Sequence, residues 1–183
     1  MSAAALNYSV AARALAVELL GWLDEQLARL VDGAEATVLR VQRYLPSPQA
    51  PPGMPRGLAH TDINMITLLS APAGPGLQVD LDGQWVDVPG GPDALIIQAG
   101  EMLAAVTGTE YPAVLHRVAD APRAAGSAPS SRMSMPLFVH ATDDAIVSDG
   151  CTAADFRGRR LAELRDRGWV AVPGGSRSHG QAD

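Results

Sequence analysis

A chain of 183 residues is long enough for one domain with a sizeable core, and its 47% hydrophobic and 19% charged residues describe a soluble globular protein rather than a disordered one. The net charge of −6, with no basic cluster to track phosphates, argues against nucleic acid as a partner, and no apolar run approaches the roughly 20 residues that would predict a membrane span. The single cysteine leaves no disulfide framework and no thiolate zinc site. All 14 basic residues are arginine, which fits a GC-rich bacterial genome. The N-terminal segment lacks a signal-peptide pattern, so the expected compartment is the cytoplasm.

In chain order, Leu15, Leu19, Trp22, Leu23, Leu27 and Leu30 recur at spacings of three and four and predict a helix over 11–31. TVLRVQRYL (37–45) reads as a strand, followed by a Pro-rich loop. HTDINMITLLS (60–70) reads as one strand. GLQVDLDGQWVDVP (76–89) reads as a hairpin turning at Asp82-Gly83, a pair that tolerates positive φ. A buried strand at 93–100, a short helix or turn at 101–108 and a strand at 111–118 follow. After a polar loop, RMSMPLFVH (132–140) is another strand. The segment 152–168 reads as a helix, with Thr152 as N-cap, Asp155 completing its capping box and Gly168 beyond its end. The expected organisation is one domain over 1–170, with a β core at 37–140 between two helices, and a disordered tail at 171–183. Many short strands with turn signals between them predict a mainly β sandwich or barrel.

The chemistry starts at His60 and Asp62. Residues i and i+2 of a strand point to the same face, so imidazole and carboxylate would converge, with Thr61 facing away. His116, inside another apolar strand, offers a third donor. Two histidines and one carboxylate form a facial triad suited to Fe(II), with positions left open for substrates and oxygen. Arg132 and Ser134 are again i and i+2, opposite Met133 and Met135. An arginine fork with a neighbouring hydroxyl suits a carboxylate, so triad and clamp together suggest a site for an α-keto acid. His140, beyond the clamp, reads as a surface residue. Trp85 reads as packing, Cys151 as inert and Glu101 as a helix-start charge.

The blocks HTDINMITLL, GLQV, GQWVDVP, ALIIQAGEML, LHRV and RMSMPLF, running in this order from about Val38 to Val139, resemble the isopenicillin N synthase-like branch of the Fe(II)/2-oxoglutarate-dependent dioxygenases. The resemblance implies a double-stranded β-helix, a cupin-like jelly roll with iron at its open end. It implies His60, Asp62 and His116 as the iron ligands, and Arg132 and Ser134 as the holders of the distal carboxylate of 2-oxoglutarate. VQRYLP stands where the family has Asn-x-Tyr-x-Pro, which makes Tyr44 a further cosubstrate contact, with Gln42 in place of the usual Asn. The implied reaction couples O2 and 2-oxoglutarate, which is decarboxylated to succinate and CO2, to oxidation of a C–H bond in a small molecule, by hydroxylation, desaturation or cyclisation, in bacterial secondary metabolism. Two alternatives stand beside it: an Fe(II) oxidase of the isopenicillin N synthase type, in which Arg132 meets the substrate and no 2-oxoglutarate is needed, and a non-catalytic metal-binding jelly roll. The family's chains are usually longer ahead of the core, and the loop between His116 and Arg132 is longer here than usual. A jelly roll short of outer strands exposes an edge and an apolar face that invite a homodimer.

Overall fold

The computed structural model describes residues 2–44, 55–70, 76–91, 93–119 and 131–167. Gly168 and the predicted tail at 171–183 lie outside these residues. The elements begin with two helices, α1 (Ala3–Leu23) and α2 (Glu25–Val31). The strands β1 (Val38–Leu39), β2 (Gln42–Tyr44), β3 (Gly57–His60), β4 (Ile66–Ser70), β5 (Leu77–Leu81), β6 (Gln84–Asp87) and β7 (Leu95–Ala99) follow. Then come α3 (Glu101–Val106), β8 (His116–Val118), β9 (Arg132–Ser134), β10 (Pro136–Val139), the short hairpin β11 (Ile146–Ser148) and β12 (Cys151–Thr152), and α4 (Ala153–Asp166).

Two four-stranded antiparallel sheets carry the fold, ordered β1-β10-β4-β7 and β3-β8-β5-β6. The pair β2-β9 continues the β1-β10 ladder, because β1 and β2 are two pieces of one interrupted strand and β9 and β10 are two pieces of another. Counted this way there are eight long strands in two sheets, the jelly roll expected from the resemblance. The hairpin at Asp82-Gly83 forms as the sequence predicts, both residues at positive φ (53° and 82°).

Alternation along the strands separates two environments. Ile66, Leu68, Leu137 and Val139 face outward into the main core cluster, which they share with Ala12, Ala16 and Leu20 of α1 and Leu27 and Val31 of α2. Thr67, Leu69, Pro136 and Phe138, in the alternate positions, line a cavity. The helix over 11–31 is corrected in two respects. It starts at Ala3, capped by Ser2, and breaks at Asp24, whose extended backbone ends α1 and whose carboxylate caps α2. Its buried stripe is also different: Ala12, Ala16 and Leu20 are buried, while Trp22 is 71% exposed. Alanines at 12 and 16 let the helix approach the sheet closely, which larger residues would prevent. By length and composition α1 also meets the requirement for crossing a membrane, which the sequence reading had excluded, although one of its faces packs on the sheet.

Two further expectations change. The strand over 60–70 is broken: β3 ends at His60 and β4 begins at Ile66, with irregular backbone between. Only 116–118 of the predicted strand 111–118 is in a ladder. The hairpin β11–β12 had no counterpart in the sequence reading, since the two strands are only three and two residues long. At α4 the Thr152 hydroxyl accepts from the Asp155 amide, as an N-cap does, and donates to the Asp155 carboxylate, whereas the return bond of a capping box would come from the Thr152 amide.

Candidate metal and keto-acid site

His60 and His116 are directly opposed cross-strand partners in β3 and β8, with ring centroids 4.4 Å apart. Each Nδ1 lies beside a backbone carbonyl, Leu58 at 2.8 Å and Val114 at 3.0 Å. A carbonyl only accepts, so each Nδ1 carries the proton and donates, leaving both Nε2 lone pairs free. Both Nε2 atoms face the same oxygen, Asp62 Oδ1, at 3.7 and 3.9 Å. These separations are too long for hydrogen bonds. One donor atom from each residue lies within 4.8 Å of the other two, close enough to share one cation. Burial lowers the His116 pKa, against the pull of Asp62, which keeps the imidazole in its ligating form.

Asp62 reaches this position without a strand. The loop after His60 is held by the N-terminal end of α3: the amides of Gly100, Glu101 and Met102 donate to the carbonyls of Met65, Asp62 and Ile63 at 2.9, 2.8 and 3.2 Å. Gly100 is required at this crossing, because a Cβ there would sit 2.1 Å from the Asn64 carbonyl oxygen. Thr67 of β4 donates to Asp62 Oδ2 at 2.5 Å and accepts from Asn64 Nδ2 at 2.9 Å. One carboxylate oxygen is thereby fixed and the other left toward the histidines. Thr61, expected to face away, also lines the cavity; it donates to Glu101, whose two oxygens also receive Arg160 of α4 at 2.6 and 2.9 Å. Glu101 is therefore a tie between the aspartate loop and α4.

The triad opens onto a cavity of about 840 Å³ between the two sheets, within the usual range for small-molecule sites. Arg132 and Ser134 line it, both buried (4% and 6% exposed), while Met133 between them is exposed. Tyr44 is the ladder partner of Arg132, and Gln42 of Ser134. The Arg132 guanidinium stands 5.4 Å from the centre of the Tyr44 ring, and Tyr44 donates its hydroxyl to Gln42 at 3.2 Å. Gln42, the departure from the family pattern, thus orients the tyrosine. Burial raises the Tyr44 pKa and lowers that of Arg132, although an arginine stays charged at any ordinary pH. Nε and Nη2 of Arg132 are fully buried and meet no acceptor among the described residues.

This donor set fits Fe(II): two neutral imidazoles and a carboxylate on one side of a point, with an open cavity on the other. Residues 36–141 match the family model of the 2OG-Fe(II) oxygenase superfamily, more than half of the chain. The chain belongs to this superfamily. The chain is 30% identical over 150 residues to Protein DMR6-LIKE OXYGENASE 2 of Arabidopsis thaliana, covering 78% of this chain and 40% of that one. It is 34% identical over 107 residues to flavonol synthase/flavanone 3-hydroxylase of Eustoma exaltatum, covering 58% of this chain and 30% of the relative. It therefore spans less than half the length of these plant relatives. Among solved structures, a protein of Shewanella oneidensis assigned as an oxygenase superposes with a TM-score of 0.75 at 35% identity, covering 87% of this chain and 63% of that one.

His140, Gln98 and Arg157 are among the cavity residues that the sequence does not point to. His140, expected at the surface, lines the cavity with a buried Nδ1 that has no partner among the described residues. Burial first, then the Arg157 charge, push its pKa down to about 4. The available signal was its position next to β10, an inward-facing strand. Gln98 is buried (5% exposed) on the cavity side of β7. Arg157 reaches the cavity from α4, a helix that no spacing argument attached to the site. Trp85 packs as expected, with Arg117 4.1 Å above its ring.

Proposed function

We propose that the protein is a non-haem Fe(II)- and 2-oxoglutarate-dependent oxygenase that oxidises a C–H bond of a small molecule. His60, Asp62 and His116 would hold the iron. Arg132 and Ser134, with Tyr44 beside them, would hold the far carboxylate of 2-oxoglutarate. The observation that carries the reading is the pairing of a three-donor cluster with a buried arginine in one cavity, two of whose nitrogens lack an acceptor. A buried guanidinium left unsatisfied costs on the order of 1–3 kcal/mol or more, a cost that a carboxylate removes through two parallel hydrogen bonds. The position of Arg132 opposite Tyr44 supports its assignment despite the long loop before it.

Bound iron with O2 and the keto acid supplies the oxidising power. The chain supplies placement. The backbone carbonyls of Leu58 and Val114 fix the tautomers of both histidines, and Thr67 fixes the rotamer of Asp62. The apolar cavity wall, including Leu69, Leu77 and Phe138, keeps water from the reacting carbon. The flavonoid enzyme among the relatives bears a small-molecule name, and the all-arginine composition supports a bacterial setting; a step of bacterial secondary metabolism is the role assigned here.

Titration of oxygen-free, iron-loaded protein with 2-oxoglutarate tests the reading. The absorbance band of an iron–keto-acid chelate is expected, together with oxygen uptake that requires 2-oxoglutarate. Oxygen uptake that needs only the primary substrate would instead establish an oxidase in which Arg132 grips that substrate. Iron binding without oxygen uptake under either condition would leave the non-catalytic metal-binding jelly roll.

A further inference from the structure

The cavity contains a second arginine, far in sequence from the first and half-buried, its side chain 23% exposed. Arg157 lies on α4, and Leu161 and Leu164 follow it at four and seven residues, so all three share one helical face, and all three line the cavity. Arg157 donates through Nη2 to Asp143 at 2.9 Å, and the side chain of that aspartate is 64% exposed. Nη1 is fully buried and meets no acceptor among the described residues. His140 stands on the same wall with its buried Nδ1 equally without a partner. The helix carrying Arg157 is held in place by the two-pronged bond of Arg160 to Glu101, which in turn bonds Thr61 between the first two triad residues. The Arg157 face of α4 is thus fixed relative to the triad.

Two unpartnered polar groups above an apolar helical face describe a ligand with one polar end and an apolar body. The charges lining this cavity decide the sign of that end. Among the described lining residues Arg40, Arg132 and Arg157 are cations and Asp62, which the proposed metal would occupy, is the carboxylate; Asp143 pairs with Arg157 from outside the lining. His140 adds no charge at neutral pH. An anion is therefore favoured over a cation or a neutral amide.

We propose that Arg157 and His140, with Leu161 and Leu164, form a subsite for the carboxylate of an acidic primary substrate whose apolar body extends toward the triad. This rests on the oxygenase reading, in which Arg132 is taken by 2-oxoglutarate. The carboxylate would accept from Nη1 of Arg157 and from the Nδ1–H of His140, satisfying both groups at once.

Binding of a matched pair of probes, 3-phenylpropanoate and 3-phenylpropanamide, tests it by calorimetry on oxygen-free, iron-loaded protein saturated with 2-oxoglutarate. The wild-type protein should prefer the acid by about ten- to a hundred-fold, the worth of a charge-assisted hydrogen bond. Arg157→Gln should abolish this preference, and Arg157→Lys, which keeps the charge and loses the fork, should retain part of it. Arg132→Lys should leave the preference intact while weakening 2-oxoglutarate. The His140 imidazole resonance should titrate at higher pH with the acid bound than with the amide. If Arg157→Gln does not fold, the lysine variant and the His140 titration carry the test. An acid that binds no more tightly than its amide, including the case where neither binds measurably, overturns the proposal. So does a preference that survives Arg157→Gln and is lost in Arg132→Lys. Failure of 2-oxoglutarate to bind would instead strike the oxygenase reading, and the acid-over-amide comparison can still be made without it.

Discussion

The two faces of the β1-β10-β4-β7 sheet are built from alternate residues of the same strands and do opposite work. Outward, Ile66, Leu68, Leu137 and Val139 join the alanine face of α1 in the hydrophobic core cluster. Inward, Thr67 and Gln98 are buried polar groups, and Phe138 and Leu69 leave space beside them rather than filling it. One face contributes dry packing. The other accepts unsatisfied polar atoms and a cavity, both unfavourable to the empty fold, and presents them to a ligand. Stability and function are thus separated by a single-residue alternation, and substitutions on the two faces should have separable effects.

The sharpest break is on the inner side. Asp62→Ala removes one of the three proposed ligands, and iron binding and turnover should both fall to background while the thermal transition persists. Retention of iron at wild-type stoichiometry, measured by metal analysis, would remove Asp62 from the metal site. On the outer face, Leu68→Ala deletes a fully buried side chain and should cost about 2–5 kcal/mol in urea unfolding. The folded fraction of that variant should still bind 2-oxoglutarate with wild-type affinity; a joint loss would show that the faces are coupled.

The pH dependence of stability sharpens the comparison next. The folded pKa of His140 is lowered from 6.5 to about 4, so the folded state resists a proton that the unfolded chain accepts. The stability this group contributes is present above pH 6.5 and is lost as pH falls toward 4, by at most about 3 kcal/mol. His140→Gln should flatten that part of the stability curve in ligand-free protein; an unchanged curve would assign the acid sensitivity elsewhere. Arg132→Lys should weaken 2-oxoglutarate by about ten- to a hundred-fold, or 1.5–3 kcal/mol, and Ser134→Ala by less, since one neutral bond is worth about 1 kcal/mol. Equal Kd values for both variants and wild type would free this end of the cavity for another ligand.

Much of this site could be read from short stretches. His60 with Asp62, His116, and Arg132 with Ser134 are each local patterns or single residues in apolar strands, and the structure gathers all five around one cavity. The reason given for the first pair was nevertheless incorrect. Strand alternation does not align His60 with Asp62, because β3 stops at His60; the amides of Gly100, Glu101 and Met102 set the loop from 35 or more residues away. The helix stripe was misread because large leucines outweigh small alanines in a hydrophobic pattern, whereas close packing against a sheet selects the alanines.

The sequence alone determined what depends on neighbours along the chain: the strand periodicity, the Asp82-Gly83 turn, the Thr152 cap and the identity of the proposed metal donors. These follow from backbone sterics and side-chain chemistry over a few residues. The tertiary structure decided what depends on contacts between distant segments. It set His60 opposite His116, broke the helix at Asp24 so that two short faces could pack, and turned His140 from the surface into the cavity. It also brought Arg157 to the cavity from the last helix described. Such contacts are fixed by the packing of whole sheets and helices, whose energies are sums over many residues, and no local spacing encodes them.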